Sequence, residues 1–144
     1  QLAQRNYLLV LIKVYTETTG SGNTTSAGIG FGTVRSVSLD AGENVLITIS
    51  GGTLYYNGNA QCYAGIQYDT STLTTATQGT ISFVSVDQAA DTNNYNVFPH
   101  YEFIYTAASS LTLYYRPAVG NSNSRTSNWY SPHDSIKITE IKYL

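Results

Sequence analysis

Apolar residues in this chain recur at every second position, and nowhere does an apolar period of 3.6 persist for more than two turns. A side-chain period of two is the signature of extended backbone half-buried on one face, so the chain is predicted to be nearly all β. The alternating or apolar stretches predict strands near 6–16, 29–39, 44–56, 60–68, 80–86, 96–106, 110–116 and 135–143. Segments rich in Gly, Asn, Ser and Thr separate them. Eight strands at this spacing predict a sandwich, and 144 residues suffice for one domain with its own core.

Within these strands the alternation assigns faces. Val45, Ile47 and Ile49 share one side, as do Tyr101, Phe103 and Tyr105, with His100, Glu102 and Ile104 on the other. Asp40-Ala41-Gly42-Glu43-Asn44 reads as a turn closing a hairpin between Arg35–Leu39 and the Val45 strand. Ala107-Ala108-Ser109 reads as a turn closing a second, aromatic hairpin into Leu111, Leu113 and Tyr115. Ala60, Cys62, Ala64, Ile66 and Tyr68 also alternate, and the small residues among them predict close approach by an opposing sheet or a neighbouring subunit before Asp69-Thr70-Ser71 turns the chain. In the last strand Ile141 is out of phase with Ile136 and Ile138. Either a β-bulge near Thr139-Glu140 brings all three inside, or one face carries a mismatch. Tyr7-Leu8-Leu9-Val10-Leu11-Ile12 is too short to span a bilayer and reads as a strand buried on both faces. The Gly-rich stretch from Thr16 to Ser26 reads as a mobile connection, and the start at Gln1 rather than Met as the mark of a longer parent.

Charged residues are only 11% of the chain, less than half the usual share of about 25%, so hydroxyls and amides rather than charge cover its surface. The seven Lys and Arg are scattered without a cluster, which excludes nucleic acid as an expected partner. A single Cys62 permits no internal disulfide and reads as an inert core thiol. Thirteen Tyr stand beside four Phe and one Trp. Such rings serve a β core or a binding surface, because they bring rigid area and a polar handle together.

Catalysis has little support in the residue pattern. His133-Asp134 is the one His beside a carboxylate, but neighbours on extended chain point apart, and no Gly-x-Ser-x-Gly setting accompanies them. No carboxylate pair has a distinctive glycosidase setting. Two distant His and one Cys do not make a zinc site, and Asp87, Asp91, Asn93 and Asn94 lack a regular calcium-loop spacing. No enzyme activity, metal or cofactor is expected.

The inventory does suit recognition of a glycan or protein. Sugar C–H faces stack on Trp and Tyr, and sugar hydroxyls pair with Asn, Asp or Arg. The long segment from Pro117 to Pro132 and its flank supply Arg125, Asn128, Trp129, Tyr130 and His133 as candidate ligand contacts, with Trp129 alternatively a core or subunit anchor. Tyr55-Tyr56 before the Asn57-Gly58 turn is the second candidate, since adjacent strand residues face opposite ways and one ring must leave the core.

Four pieces in order resemble the C1q/TNF-like jelly-roll heads that close many bacteriophage tail fibres and virion spikes. They are the Val37–Gly51 segment with its Gly turn, Ala64-Gly65-Ile66-Gln67-Tyr68-Asp69, the aromatic Phe103–Tyr115 segment, and the terminal strand Ser135–Lys142. The resemblance covers roughly residues 35 to 144 and leaves the Tyr7 to Ile12 run without a counterpart. It implies an antiparallel jelly-roll sandwich assembling as a homotrimer. That assembly would form the C-terminal head of a longer fibre, with residues 1–28 as an N-terminal strand and connection. It further implies a virion location and attachment to a host-surface glycan or protein, without membrane insertion. Two alternatives stay open: a structural virion component for capsid decoration or fibre trimerisation, and a carbohydrate-binding module of a secreted bacterial protein.

Overall fold

A computed structural model describes residues 11–17, 29–50, 53–56, 62–86, 94–97, 100–121, 127–129 and 136–144. Among them the protein is all β and antiparallel. Its strands are β1 (Leu11–Glu17), β2 (Ile29–Phe31), β3 (Arg35–Leu39), β4 (Asn44–Ser50), β5 (Thr53–Tyr56), β6 (Cys62–Asp69), β7 (Thr80–Val86), β8 (Asn94–Val97), β9 (Tyr101–Thr106), β10 (Leu111–Asn121), β11 (Ser127–Trp129) and β12 (Ile136–Tyr143).

Two sheets share one core. The first has the order β1-β12-β4-β9. In the second, β2 and β3 lie in line along one side of β10, followed on its other side by β6 and β7. Val45, Ile47, Ile49, Ile136 and Ile138 of the first sheet pack with Val37, Leu39, Ala64, Ile66, Leu113, Tyr115 and Val119 of the second, which is the arrangement of a β-sandwich. The pairing is nested: β1 with β12, β3 with β10, β4 with β9, and β6 with β7. A third, small sheet has the order β11-β5-β8.

Nesting overturns both predicted hairpins. β3 and β4 lie in different sheets, and so do β9 and β10, so each turn is an arch over the core edge. The reason is burial: Val37 and Leu39 bury against Val45 and Ile47 only when the two strands face each other across the core. The arches brace one another. Gly42, at φ 86°, donates its N–H to Ala107 O at 2.7 Å, and Ala107 donates to Glu43 O at 2.9 Å. Asp40 N–H donates to the Glu43 carboxylate at 2.8 Å, and Lys142 lies 2.9 Å from it. That backbone donor first, and then Lys142, hold the Glu43 carboxyl below the usual carboxylate range.

The predicted strand 29–39 breaks at residues 32–34, and Pro117 explains the break. On a strand the N–H and C=O of one residue point to the same side, and Pro117 O accepts the Gly32 N–H at 2.8 Å. The donor that Pro117 lacks is therefore missing from the ladder on that side. The Thr33 N–H turns instead to Glu17 Oε1 at 2.5 Å. Gly32 makes room, since a Cβ there would sit 2.6 Å from that oxygen.

Other boundaries also differ. The 44–56 and 96–106 stretches each divide, β10 continues through Pro117 into the predicted loop, and β11 lies within that loop. Leu11 and Ile12 are exposed rather than buried on both faces, because β1 is the edge strand of its sheet. Residues 7–10, the 18–28 connection and the Asp87, Asp91 and Asn93 positions lie outside the described residues, whereas Asn94 opens β8.

Within the second sheet, β6 and β7 approach closely at Gly65, where a Cβ would collide with Ser82 O and lie 2.8 Å from Phe83 Cα, all backbone atoms. Gly65→Ala should therefore destabilise the protein by about 3 kcal/mol, the upper end of typical overpacking costs, read as a lower urea midpoint.

Candidate functional site

Strand pairing brings the two sequence candidates together. Tyr55 stands in register with Asn128, Tyr56 with Ser127, and Leu54 with Trp129. Segments more than seventy positions apart in the chain thus form neighbouring strands of the β11-β5-β8 sheet, and β11 lies beside β2 and β10 of the sandwich. Arg125, Tyr130 and His133 lie outside the described residues. The predicted 96–106 strand reached only the end of β8, which pairs with the other edge of β5 and sets Tyr95 opposite Tyr55, Asn94 opposite Tyr56 and Asn96 opposite Leu54. The available signal for its start was the Asn94-Tyr95-Asn96 alternation, of which Asn94 was weighed as a calcium oxygen.

A second cluster went unpredicted. β12 pairs with both neighbours in unbroken register, so no bulge occurs near Thr139-Glu140. Glu140 occupies the inward position and is 1% exposed, while Ile141 faces outward. The carboxylate is tolerated because Tyr115 donates its hydroxyl to Glu140 Oε2 at 2.8 Å, with Lys13 Nζ 3.8 Å from Oε1. Further along the same seam Glu17, also buried, pairs with Arg35 Nη2 at 2.5 Å, and the Arg35 guanidinium lies 4.8 Å from the Tyr15 ring centroid. At the other end of the core the Tyr68 and Phe103 rings meet at a 42° tilt with centroids 4.5 Å apart, and Tyr101 donates to Ser82 Oγ at 2.6 Å. Charge closes one end of the sandwich and aromatic rings the other.

Burial first, and then the charge and hydrogen bond of Glu140, hold the Tyr115 phenol far above the usual tyrosine range, with Arg35 pulling weakly the other way. The unfolded phenol releases its proton near pH 10 while the folded one keeps it. Stability that is complete below about pH 10 should then fall at about 1.4 kcal/mol per pH unit above it. Burial raises Tyr101 as well, in spite of its bond to Ser82. Urea midpoints followed from about pH 8 to about pH 11 should fall less steeply in Tyr115→Phe than in the parent.

On the second sheet Gln67 of β6 is fully buried under the 70–79 loop. Its amide donates to Gln78 O at 2.7 Å, and its carbonyl accepts from Arg116 Nε at 2.7 Å, so the loop is pinned rather than free. The outer face of sheet one is apolar along one row. Ile12, Ile141, Leu46 and Ile104 follow one another in register across all four strands, with Ile12 59% and Ile104 60% exposed.

Neither buried carboxylate can meet a substrate from solvent, and among the described residues no group of three His, Cys, Asp or Glu could hold a metal ion. No helix among them is long and apolar enough to cross a membrane. Comparison with protein-family models, curated proteins and solved structures finds no match to this chain.

Proposed function

We propose that this chain is the C1q/TNF-like jelly-roll head of a viral fibre or spike, a non-enzymatic homotrimer that attaches to a host-surface receptor. The nested pairing carries the reading. A long antiparallel hairpin, β1 with β12, β3 with β10, β4 with β9 and β6 with β7, wrapped so that successive pairs alternate between sheets, is how a jelly roll is built. Jelly rolls recur in viral capsid and lectin domains. The exposed aliphatic row on β1, β12, β4 and β9 supports assembly, because a continuous apolar strip is a poor surface to leave in water. The β11-β5-β8 sheet, with its Tyr, Trp and Asn, supports receptor contact.

Two measurements test the reading separately. Sedimentation at micromolar concentration should give three times the protomer mass, and a stable monomer would remove the assembly half. Fluorescently labelled protein should adhere to some members of a panel of bacterial strains. Retention on virions without adherence to any cell would instead favour a structural virion component.

A further inference from the structure

Among the strands of the first sheet, β1 is attached in its own way. The buried core residues come from β3, β4, β6, β9, β10 and β12 and from Ala107 of an arch, while β1 reaches the margin of the core through Tyr15. Its aliphatic side chains Leu11, Ile12 and Val14 are exposed. Burial of apolar area therefore does little to hold it.

Two other kinds of contact hold it. The first is the backbone ladder, an unbroken antiparallel register with β12 from Leu11 opposite Lys142 to Glu17 opposite Ile136. The second is a set of polar contacts made by alternate, inward residues. Lys13 reaches the buried Glu140 carboxylate, the Tyr15 ring lies beside the Arg35 guanidinium, and Glu17 pairs with Arg35 and accepts the Thr33 N–H. The receiving groups belong to β12, β3 and the turn before β3, so they form a slot whose walls stand outside β1. Glu140 has its bond from Tyr115, and Arg35 its bond to Thr33 O, whichever strand lies in the slot. An extended segment read by its ladder and by side chains at every second position is the recognition mode of β-strand addition.

The slot reads Lys, Tyr and Glu at alternate positions, and every copy of this chain carries that segment. Residues 18–28 separate β1 from β2 in the chain. Chain of that length extends at most about 40 Å, whereas a four-stranded sheet is about 15 Å wide, so β1 has the length to reach the slot of a neighbouring copy. We infer that β1 is an exchangeable strand and that the slot along β12 is a binding site for the β1 of a second copy. Exchanged and closed forms make the same contacts, so their balance is set by the connection and by the local concentration of copies. The inference goes beyond the attachment reading and does not depend on it.

Charge reversal tests the exchange. Glu17→Arg places two guanidinium groups together in the slot and Arg35→Glu places two carboxylates there, so each variant alone should have a lower urea midpoint than the parent. When the two are refolded together, exchange seats the Glu17 of one copy against the Arg35 of the other, and the reversed pair fills the second slot. The mixture should then have a midpoint above that of either variant, and an affinity tag on one should retain the other. A pair of cysteines reads position, in a Cys62→Ser background. Leu11 and Lys142 stand opposite each other on the inward side of the ladder, so packing of copies on the outer face does not join them. Leu11→Cys refolded with Lys142→Cys should give, on oxidation, a disulfide-linked species of twice the protomer mass, whereas Leu11→Cys with Thr77→Cys should not. The cysteine result decides where the charge variants do not refold. A mixture of folded charge variants no more stable than its members would overturn the inference. So would a disulfide that forms inside a chain carrying both cysteines but never between singly substituted chains, which would leave β1 fixed in its own slot.

Discussion

Replacement of Tyr115 by alanine is expected to lower the free energy of unfolding by about 3–5 kcal/mol for the lost ring alone. A domain of this kind has about 5–15 kcal/mol in total, so the variant should be partly unfolded at modest urea concentrations. Tyr115 is fully buried at the centre of the core, between sheets, and its hydroxyl donates the 2.8 Å bond to Glu140. Its loss leaves a cavity and also a carboxylate that is 1% exposed, with Lys13 at 3.8 Å its ion-pair partner among the described residues. Tyr115→Phe separates the two effects: the ring remains, and the loss of the hydrogen bond to a buried charge should cost about 1.5–3 kcal/mol. The double replacement Tyr115→Phe with Glu140→Leu removes donor and acceptor together and should recover most of that loss, because no desolvated charge is left behind and Lys13, 45% exposed at its side chain, can turn to water. If the Phe variant proved as stable as the parent, Glu140 would not depend on this bond.

Glu140 also marks the limit of what could be read from the amino acids. Alternation alone located the inward faces of β4 and β9 correctly, down to Val45, Ile47 and Ile49, because those positions answer only to water and the core beside them. At the end of β12 the same rule left two choices, a bulge that would bury Ile141 or a mismatch on one face, and an isolated glutamate is costly inside. What decided the matter was a phenol on β10, twenty-five positions earlier and in the other sheet, and no local pattern announces such a partner. The two arches were misread for a related reason. A short turn between two alternating segments serves a hairpin or a crossing between sheets equally well, and only the global closure of the core chooses. Pro117 was legible as a strand breaker, yet the strand it breaks is its neighbour, through the missing donor, rather than its own. The neighbourhood of the two candidate segments was half legible. Tyr55 and Asn128 were marked by residue type, while their adjacency, and the place of Tyr95 beside them, follow from long-range pairing that sequence spacing does not encode.

The outermost apolar row gives the other large effect, on assembly rather than on the fold of one chain. Ile12, Ile141, Leu46 and Ile104 run across the full width of β1-β12-β4-β9, and the two end members are more than half exposed. Their side chains contribute little to the core behind them, so a charge placed there should leave each protomer folded. At an interface between copies the same charge must be desolvated, and around a three-fold axis it is repeated near its own images, a cost of several kcal/mol for the complex. In the proposed trimer, Ile104→Glu is therefore expected to reduce the solution mass from three protomers to one at micromolar concentration. Thr77→Glu, on the exposed loop that covers the opposite sheet, should leave the mass unchanged. Both variants should keep an all-β circular dichroism spectrum. A trimer that tolerates Ile104→Glu would move the subunit contact away from this face. The edges of the sandwich would then have to hold the copies together, and the apolar row would need another occupant.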